Sequence, residues 1–444
     1  MRNELTASSR ERLHTKRDVP IDIAIELGKE FVDPRLGPIV GFTERTPNSI
    51  ETGNVFQYVS KIQETAAFSP NGLEDPDNTG GSAINRDEAK IAALGEAVER
   101  YCLSLSDPDD FITSRYVGLD QQAMNPLAMS AFSERQLDDM SLSRDDIRTS
   151  EYHWTATREM ISGEMTLVPG QLIYLPFSSP TTVRSPMTTG AAAGMDYESA
   201  CYRALCEIVE RECFIIGYLN KLQFPKIDLS SVEDEGVAAF QKELENRGMD
   251  VHVLDISLDH PLHACLAIAT DRDRRPGVCL GLDASVDMTT AIRDSLREAF
   301  QISTWDAYEQ TFDSDTSTIQ TLKERAAYWA PPERVDDLNF WLETDERTGL
   351  KEPICDRTDA LATLETFLED NGYSWYVADV TTPDISAQGF KTVSTVIPEF
   401  HPLHLIESFK YLGTDRLYSV PVETGYLSEP RTESELNTMP HPFL

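Results

Sequence analysis

The 444-residue chain reads as a mixed α/β, or α+β, protein. Short apolar runs of strand character and segments of helical period intermix along its whole length. One pattern is written three times, each copy a small-residue stretch followed by a helix that carries a Glu. The length gives room for one large or two or three ordinary domains, with ample core.

The first copy begins Gly81-Ser82-Ala83-Ile84-Asn85 and runs to Gly95-Glu96-Ala97-Val98-Glu99-Arg100. The second begins Gly190-Ala191-Ala192-Ala193-Gly194-Met195-Asp196 and runs to Glu207-Ile208-Val209-Glu210-Arg211. The third begins Gly281-Leu282-Asp283 and runs through Asp287 to Glu298-Ala299-Phe300-Gln301. In each, a Glu falls 11 residues after Asn85, Asp196 or Asp287. Ala89, Ala200 and Ala291 precede that Glu by seven, and Leu94, Leu205 and Leu296 by two. Three similar helices delivering carboxylates suggest one site assembled by internal duplication.

Residues 1–75 read as an N-terminal leader with short strands, Pro20-Ile-Asp-Ile-Ala-Ile and Gly37-Pro-Ile-Val-Gly-Phe, punctuated by Pro and Gly. Residues 76–444 form the main domain. Asn85 with Glu88 makes a capping box that starts the first helix. Ile91, Leu94, Val98, Tyr101, Cys102 and Leu105 fall on one stripe, and Glu96, Glu99 and Arg100 project opposite. Residues 106–150 read as short helices and loops. Met165 to Leu175 reads as strand leading to the second copy. Val251-His-Val-Leu-Asp-Ile and Ala264-Cys-Leu-Ala-Ile-Ala are buried strands feeding the third. Residues 329–370 are a charged helical stretch, after which Tyr373 to Val380 and Thr392 to Ile397 return to strand.

A formal charge of −36, from 75 acids and 39 basic residues, argues against a nucleic-acid partner, which needs basic faces to neutralise phosphates. The acidic excess with few Lys suits a halophilic cytoplasm, where surface carboxylates keep a protein hydrated. An ordinary acidic protein is the alternative. The seven cysteines show no Cys-x-x-Cys pair, so they read as small core residues rather than as zinc or disulfide positions. No apolar run is long enough to span a membrane, and the N-terminus lacks a signal-peptide core. The chain therefore reads as soluble and cytoplasmic.

A single Glu-x-x-Glu-Arg is most simply a solvated helix face with weak i,i+4 pairs. Two copies 111 residues apart (Glu96 to Glu207) with a third beyond require another explanation. Carboxylates converging from three helices repel one another and need a counter-charge. Mg²⁺ supplies it, taking one or two carboxylates plus nucleotide phosphates, and Arg100 and Arg211 are natural phosphate clamps. The small-residue stretches, read as loops at the helix starts, could offer backbone N–H groups to an anion. There is no P-loop, Ser-His-Asp array or His-Glu-x-x-His site. His401 and His404, in a Pro-flanked segment, read as structural.

These motifs resemble the YcaO family, and in particular its SagD-like branch of thiazole- and oxazole-forming peptide maturases. Val168-Pro169, Asp379-Val-Thr-Thr-Pro-Asp384, Ile397-Pro398 with His401-Pro402-Leu403, and the ending Pro440-His441-Pro442-Phe443-Leu444 add to the likeness, which spans roughly residues 76–444. The resemblance implies a YcaO-like fold around a central ATP site with ATP and Mg²⁺ as cofactors. It implies Glu96, Glu99, Glu207 and Glu210 as metal ligands. Arg100, Arg211, Glu298, Gln301 and Ser82 would be nucleotide-site residues, and the tail residues Pro440, Pro442 and Leu444 would reach the site. The implied activity is ATP-dependent cyclodehydration of Cys, Ser or Thr in a ribosomally made peptide, with a separate leader-peptide-binding partner protein; a homodimer is compatible with it. Backbone thioamidation with another partner, and a non-catalytic nucleotide-binding assembly factor, are the alternatives. The chain departs from the family pattern at Ala92, Ser82, Thr189 and Leu444, where Ser, Lys, Asn and Pro are common.

Overall fold

A computed structural model describes residues 19–45, 55–69, 71–73, 78–312 and 315–444; the rest of the expected leader lies outside them. The first apolar run is a helix, α1 (Ile21–Lys29), not a strand. Ala24, Ile25 and Gly28 are buried at helical spacing, and α1 packs on the first repeat helix through Gly28 against Leu94. Contact with that helix outweighs the β-preference of the two exposed isoleucines, Ile21 and Ile23.

The strands form three sheets. β1 (Ile39–Glu44), β2 (Phe56–Ile62) and β3 (Asn78–Ala83) form an antiparallel meander. The second sheet contains β4 (Ile112–Arg115), β5 (Glu151–Glu159), β6 (Met165–Pro169) and β7 (Ala191–Gly194). It is completed late in the chain by β13 (Tyr376–Asp379) and β14 (Lys391–Val396), in the order β4-β5-β13-β14-β7, with β6 beside β5. The third runs β11-β10-β9-β8-β12, from β8 (Lys226–Ile227), β9 (Asp250–Asp255), β10 (His263–Thr270), β11 (Val278–Ser285) and β12 (Arg347–Thr348).

The three small-residue stretches are strands rather than loops: they are β3, β7 and β11, each at the edge of its sheet. Each leads within two residues into its repeat helix: α2 (Arg86–Ser104), α3 (Tyr197–Asn220) and α4 (Met288–Ser303). Asn85, Asp196 and Asp287 are the N-caps, and their side chains accept from backbone N–H groups of the first turn. Asn85 bonds to the N–H of Asp87, so the box expected with Glu88 is not the one formed.

The units close into a ring. α2 packs on its own β3 and on β7 of the next sheet; α3 packs on β7 and on β11; α4 packs on β11 and reaches β3. Each helix is thereby sandwiched between two sheets, and α3 is buried around most of its circumference from Ala204 to Asn220. Among the described residues no helix is long and apolar enough to cross a membrane. All seven cysteines are free and six are buried.

Close approach of strand to helix fixes two glycines. A Cβ on Gly81 would stand 2.4 Å from the Ala93 nitrogen, and one on Gly281 2.0 Å from the Ser295 carbonyl oxygen. Gly95, inside α2, has nothing within 4 Å of such an atom. Gly281→Ala is therefore expected to destabilise the fold by ~1–3 kcal/mol, as overpacking does. Gly95→Ala should stabilise it by ~0.8–1 kcal/mol through helix propensity. Denaturant unfolding of the two variants checks both signs.

Candidate active site

Each edge strand presents backbone N–H groups that its own sheet leaves unpaired, and the repeat Glu takes one. Glu96 accepts from Gly80 N at 2.9 Å, Glu207 from Gly190 N at 3.0 Å and Glu298 from Leu282 N at 2.6 Å. The same hydrogen bond is thus made three times around the ring. It replaces the expectation that these amides face an anion.

These bonds turn the three carboxylates toward a common centre. Arg211 lies within 3.5 Å of Glu207, 3.2 Å of Glu210 and 4.0 Å of Glu298. Arg100 is held more loosely, 3.9 Å from both Glu96 and Glu99. Burial raises Glu99 well above the usual carboxylate range; Arg100 opposes this, while Glu207 and Glu96 add to it. Burial pushes Glu210 up to about 8, against Arg211 and with help from Glu298 and Glu207. The first and second Glu-x-x-Glu-Arg segments and Glu298 therefore share one electrostatic site. Ser82 has a buried hydroxyl without a hydrogen-bond partner. Gln301 lies one turn beyond Glu298, and its side chain makes no hydrogen bond or ion pair among the described residues.

Sequence reasoning missed Asp283, Asp294 and Arg297. Asp283 projects from β11; its carboxyl is driven well up by burial, then by Asp294 and Glu210, with Arg297 opposing. An Asp inside the apolar strand Val278–Ser285 was the available signal.

The C-terminal tail is part of the core. Pro440 O accepts from the Tyr218 hydroxyl at 2.9 Å and from Trp329 Nε1 at 3.1 Å. Arg325 Nη1 donates to His441 O at 2.9 Å, and His441 Nε2 bonds to the His404 carbonyl. The Phe443 ring is stacked against Arg211, 4.0 Å from centroid to guanidinium carbon. Leu444 packs into the apolar cluster that includes Ala299 and Phe300 of α4.

The cluster fits a cation beside an anion. Its carboxylates outnumber its arginines, and their raised affinity for protons is an unmet demand for positive charge. Arg211 Nε is ion-paired to Glu210, whereas its Nη1 is buried with no hydrogen-bond partner, a demand for an acceptor oxygen. Among the described residues no three His, Cys, Asp or Glu side chains are gathered into a metal cage.

Residues 80–401 match the family model described as YcaO cyclodehydratase, ATP- and Mg²⁺-binding. The chain belongs to the YcaO family. ATP and Mg²⁺ are the ligands that membership brings. An uncharacterized protein of Methanothermobacter thermautotrophicus is 23% identical over 320 residues, covering 68% of this chain and 78% of its own. A heterocyclase solved in complex with substrate and cofactor shares the fold with a TM-score of 0.77 at 23% identity, over 97% of this chain and 58% of that one. This YcaO chain thus spans under two thirds of that heterocyclase. The Escherichia coli microcin synthetase McbBCD complex with pro-MccB17 bound matches at a TM-score of 0.61 and 18% identity, covering 83% and 90%.

In the ligand-free YcaO chain, Glu210 keeps its proton up to about pH 8, whereas in the unfolded chain it titrates near 4.5. The folded state therefore holds the extra proton between these values, and the stability this confers is lost as pH rises through that window. Calorimetric melting of the ligand-free protein should show a Tm that falls from pH ~5 to ~8 and then levels off in this contribution. Glu210→Gln should flatten that fall and raise Tm at the alkaline end.

Proposed function

We propose that this chain is the ATP-dependent component of a peptide cyclodehydratase, converting Cys, Ser or Thr of a ribosomally made peptide to thiazoline or oxazoline. The observation that carries the reading is Arg211. It meets carboxylates from two repeats and is stacked by the penultimate residue of the chain, so the metal site and the C-terminus share one group. A tail built into the site favours the SagD-like, ring-forming branch over thioamidation or a non-catalytic role.

Glu96, Glu99, Glu207 and Glu210 are the metal ligands in this reading. Glu207 also holds Arg211 in place, and Glu298 shares that duty from the third repeat. Arg211, with Nη1 unspent, and Arg100, loosely paired, bind phosphate oxygens. Ser82 and Gln301 complete the nucleotide site with polar groups not engaged elsewhere. In the reaction the side-chain sulfur or oxygen of the peptide bonds to the preceding carbonyl carbon and gives up its proton. When bound, Mg²⁺–ATP supplies the phosphoryl group that carries the amide oxygen away. The chain's own part is positioning and charge neutralisation, with no protein nucleophile. The peptide enters beside Leu444, delivered by a leader-binding partner, as the peptide-bound McbBCD assembly suggests. The excess of acidic residues supports a salt-rich cytoplasm as the setting of this work.

Glu99→Gln and Glu210→Gln should each weaken Mg²⁺-dependent ATP binding about tenfold or more, since each loses a ligand charge. Calorimetry on both variants checks this; wild-type affinity in both would remove the metal role.

The tail has its own test. Removal of Pro440 to Leu444 would strip partners from Tyr218, Trp329 and Arg325, so it unfolds as well as inactivates. Deletion of Leu444 alone leaves those bonds. It should retain ATP binding and Tm while lowering peptide cyclisation, followed by the mass loss of one water per ring.

A further inference from the structure

A cavity borders Arg211. Its walls include Gln171, Arg184, Thr189, Arg211, Phe400 and His401. No Asp or Glu lines it, in a chain that carries 75 of them. Thr189 precedes the glycine whose amide Glu207 accepts, so the cavity abuts the carboxylate cluster without sharing its acids.

Its polar groups are unspent. Arg184 has no ion-pair partner among the described residues, and Tyr411 is the neighbour that interacts with it. Arg211 Nη1, His401 Nε2 and Gln171 Oε1 are buried without hydrogen-bond partners. Gln171 and His401 are each 1% exposed, so leaving these atoms unpaired carries a desolvation penalty that a ligand would remove. His401 Nδ1 is engaged by Thr414 Oγ1. With that hydroxyl donating, Nε2 carries the hydrogen and points a donor into the cavity. Arg184, the Nη1 of Arg211 and an imidazole N–H, in a lining without acids, select an oxyanion. The Gln171 oxygen, an acceptor, suits one that still bears a proton, as dihydrogen or monohydrogen phosphate does.

We propose that this cavity is a phosphate subsite separate from the carboxylate cluster, with Arg184 as its anchor and Arg211 as the wall the two sites share. The source of the phosphate rests on the cyclodehydratase reading, in which one phosphate is released per ring; the binding itself does not. Phosphate eliminated from the peptide, carrying the former amide oxygen, then has a place to go beside Arg211.

The test is calorimetric titration of the full chain with inorganic phosphate, alone and with Mg²⁺ and saturating AMPPCP. Phosphate should bind in both conditions. Arg184→Gln should weaken it by about tenfold or more, the loss of a charge-assisted hydrogen bond. Arg184→Lys should recover most of the affinity, and AMPPCP affinity and Tm should be unchanged in both variants. Displacement of phosphate by AMPPCP, or parallel loss of AMPPCP affinity in Arg184→Gln, would make the cavity part of the nucleotide's own site and overturn the proposal. Absence of phosphate binding, or binding indifferent to Arg184, would overturn it equally. A chain that fails to bind AMPPCP sinks the cyclodehydratase reading instead, and the phosphate titration alone still decides the subsite.

Discussion

The hydrogen bond from an edge-strand amide to the first glutamate of the following helix sets the geometry of the molecule. Glu96, Glu207 and Glu298 each reach back 16 or 17 residues to Gly80, Gly190 and Leu282. A carboxylate accepting a backbone N–H in a partly buried site is a strong, directional contact. It fixes the rotation of each helix about its axis relative to its strand. It also occupies an amide that an open sheet edge would otherwise present to another chain. Because each helix packs on two sheets, fixing one rotation constrains its neighbours around the ring.

The middle helix carries the heaviest electrostatic load. Glu207, Glu210 and Arg211 face the site, while the next residue, Glu212, faces away into a second buried network. There Arg416 makes hydrogen bonds of 2.9 Å to both of its oxygens, and His260 meets it at 2.7 Å. Burial would lift Glu212, but Arg416 and His260 dominate and hold it down to about 2. Adjacent glutamates on one helix are thus driven in opposite directions, Glu210 up and Glu212 down. The difference lies in their partners. Glu212 is fully answered by the protein, whereas Glu210 is answered by one arginine shared with two other acids. A structural carboxylate is satisfied within the fold; a ligand-binding one is left in deficit.

That contrast explains what could be read from the sequence. The repeat register was visible because an 11-residue spacing between N-cap and glutamate holds whatever the tertiary packing. The N-caps Asn85, Asp196 and Asp287 follow from the same local chemistry. The stretches before them were misread as loops because Gly and Ala disfavour strands in isolation. They are strands because only small residues let β3 and β11 lie against helix backbone at Gly81 and Gly281. Pro20 to Ile25 misled in the opposite sense, its isoleucines suggesting a strand where packing on α2 makes a helix. Arg297 and Arg184 carry no local motif. Their relevance arises only when distant segments meet, and sequence spacing does not encode that.

Arg211 is where these levels join. Its guanidinium is stacked by Phe443, bordered by Glu207, Glu210 and Glu298, and left with one nitrogen, Nη1, unpaired beside the cavity of Arg184. A planar, permanently charged group can serve all three at once through its face, one edge and the other edge; a lysine cannot. The tail reaches it only because Tyr218 and Trp329 grip Pro440 and Arg325 grips His441. Tyr218 lies on the same helix as Arg211, two turns on. Helix α3 therefore positions both the cation and the chain terminus that covers it. A shift of α3 along its axis would move Glu207, Glu210, Arg211 and the tail together. Its burial between two sheets, with Glu212 anchored to Arg416, is what makes that shift costly.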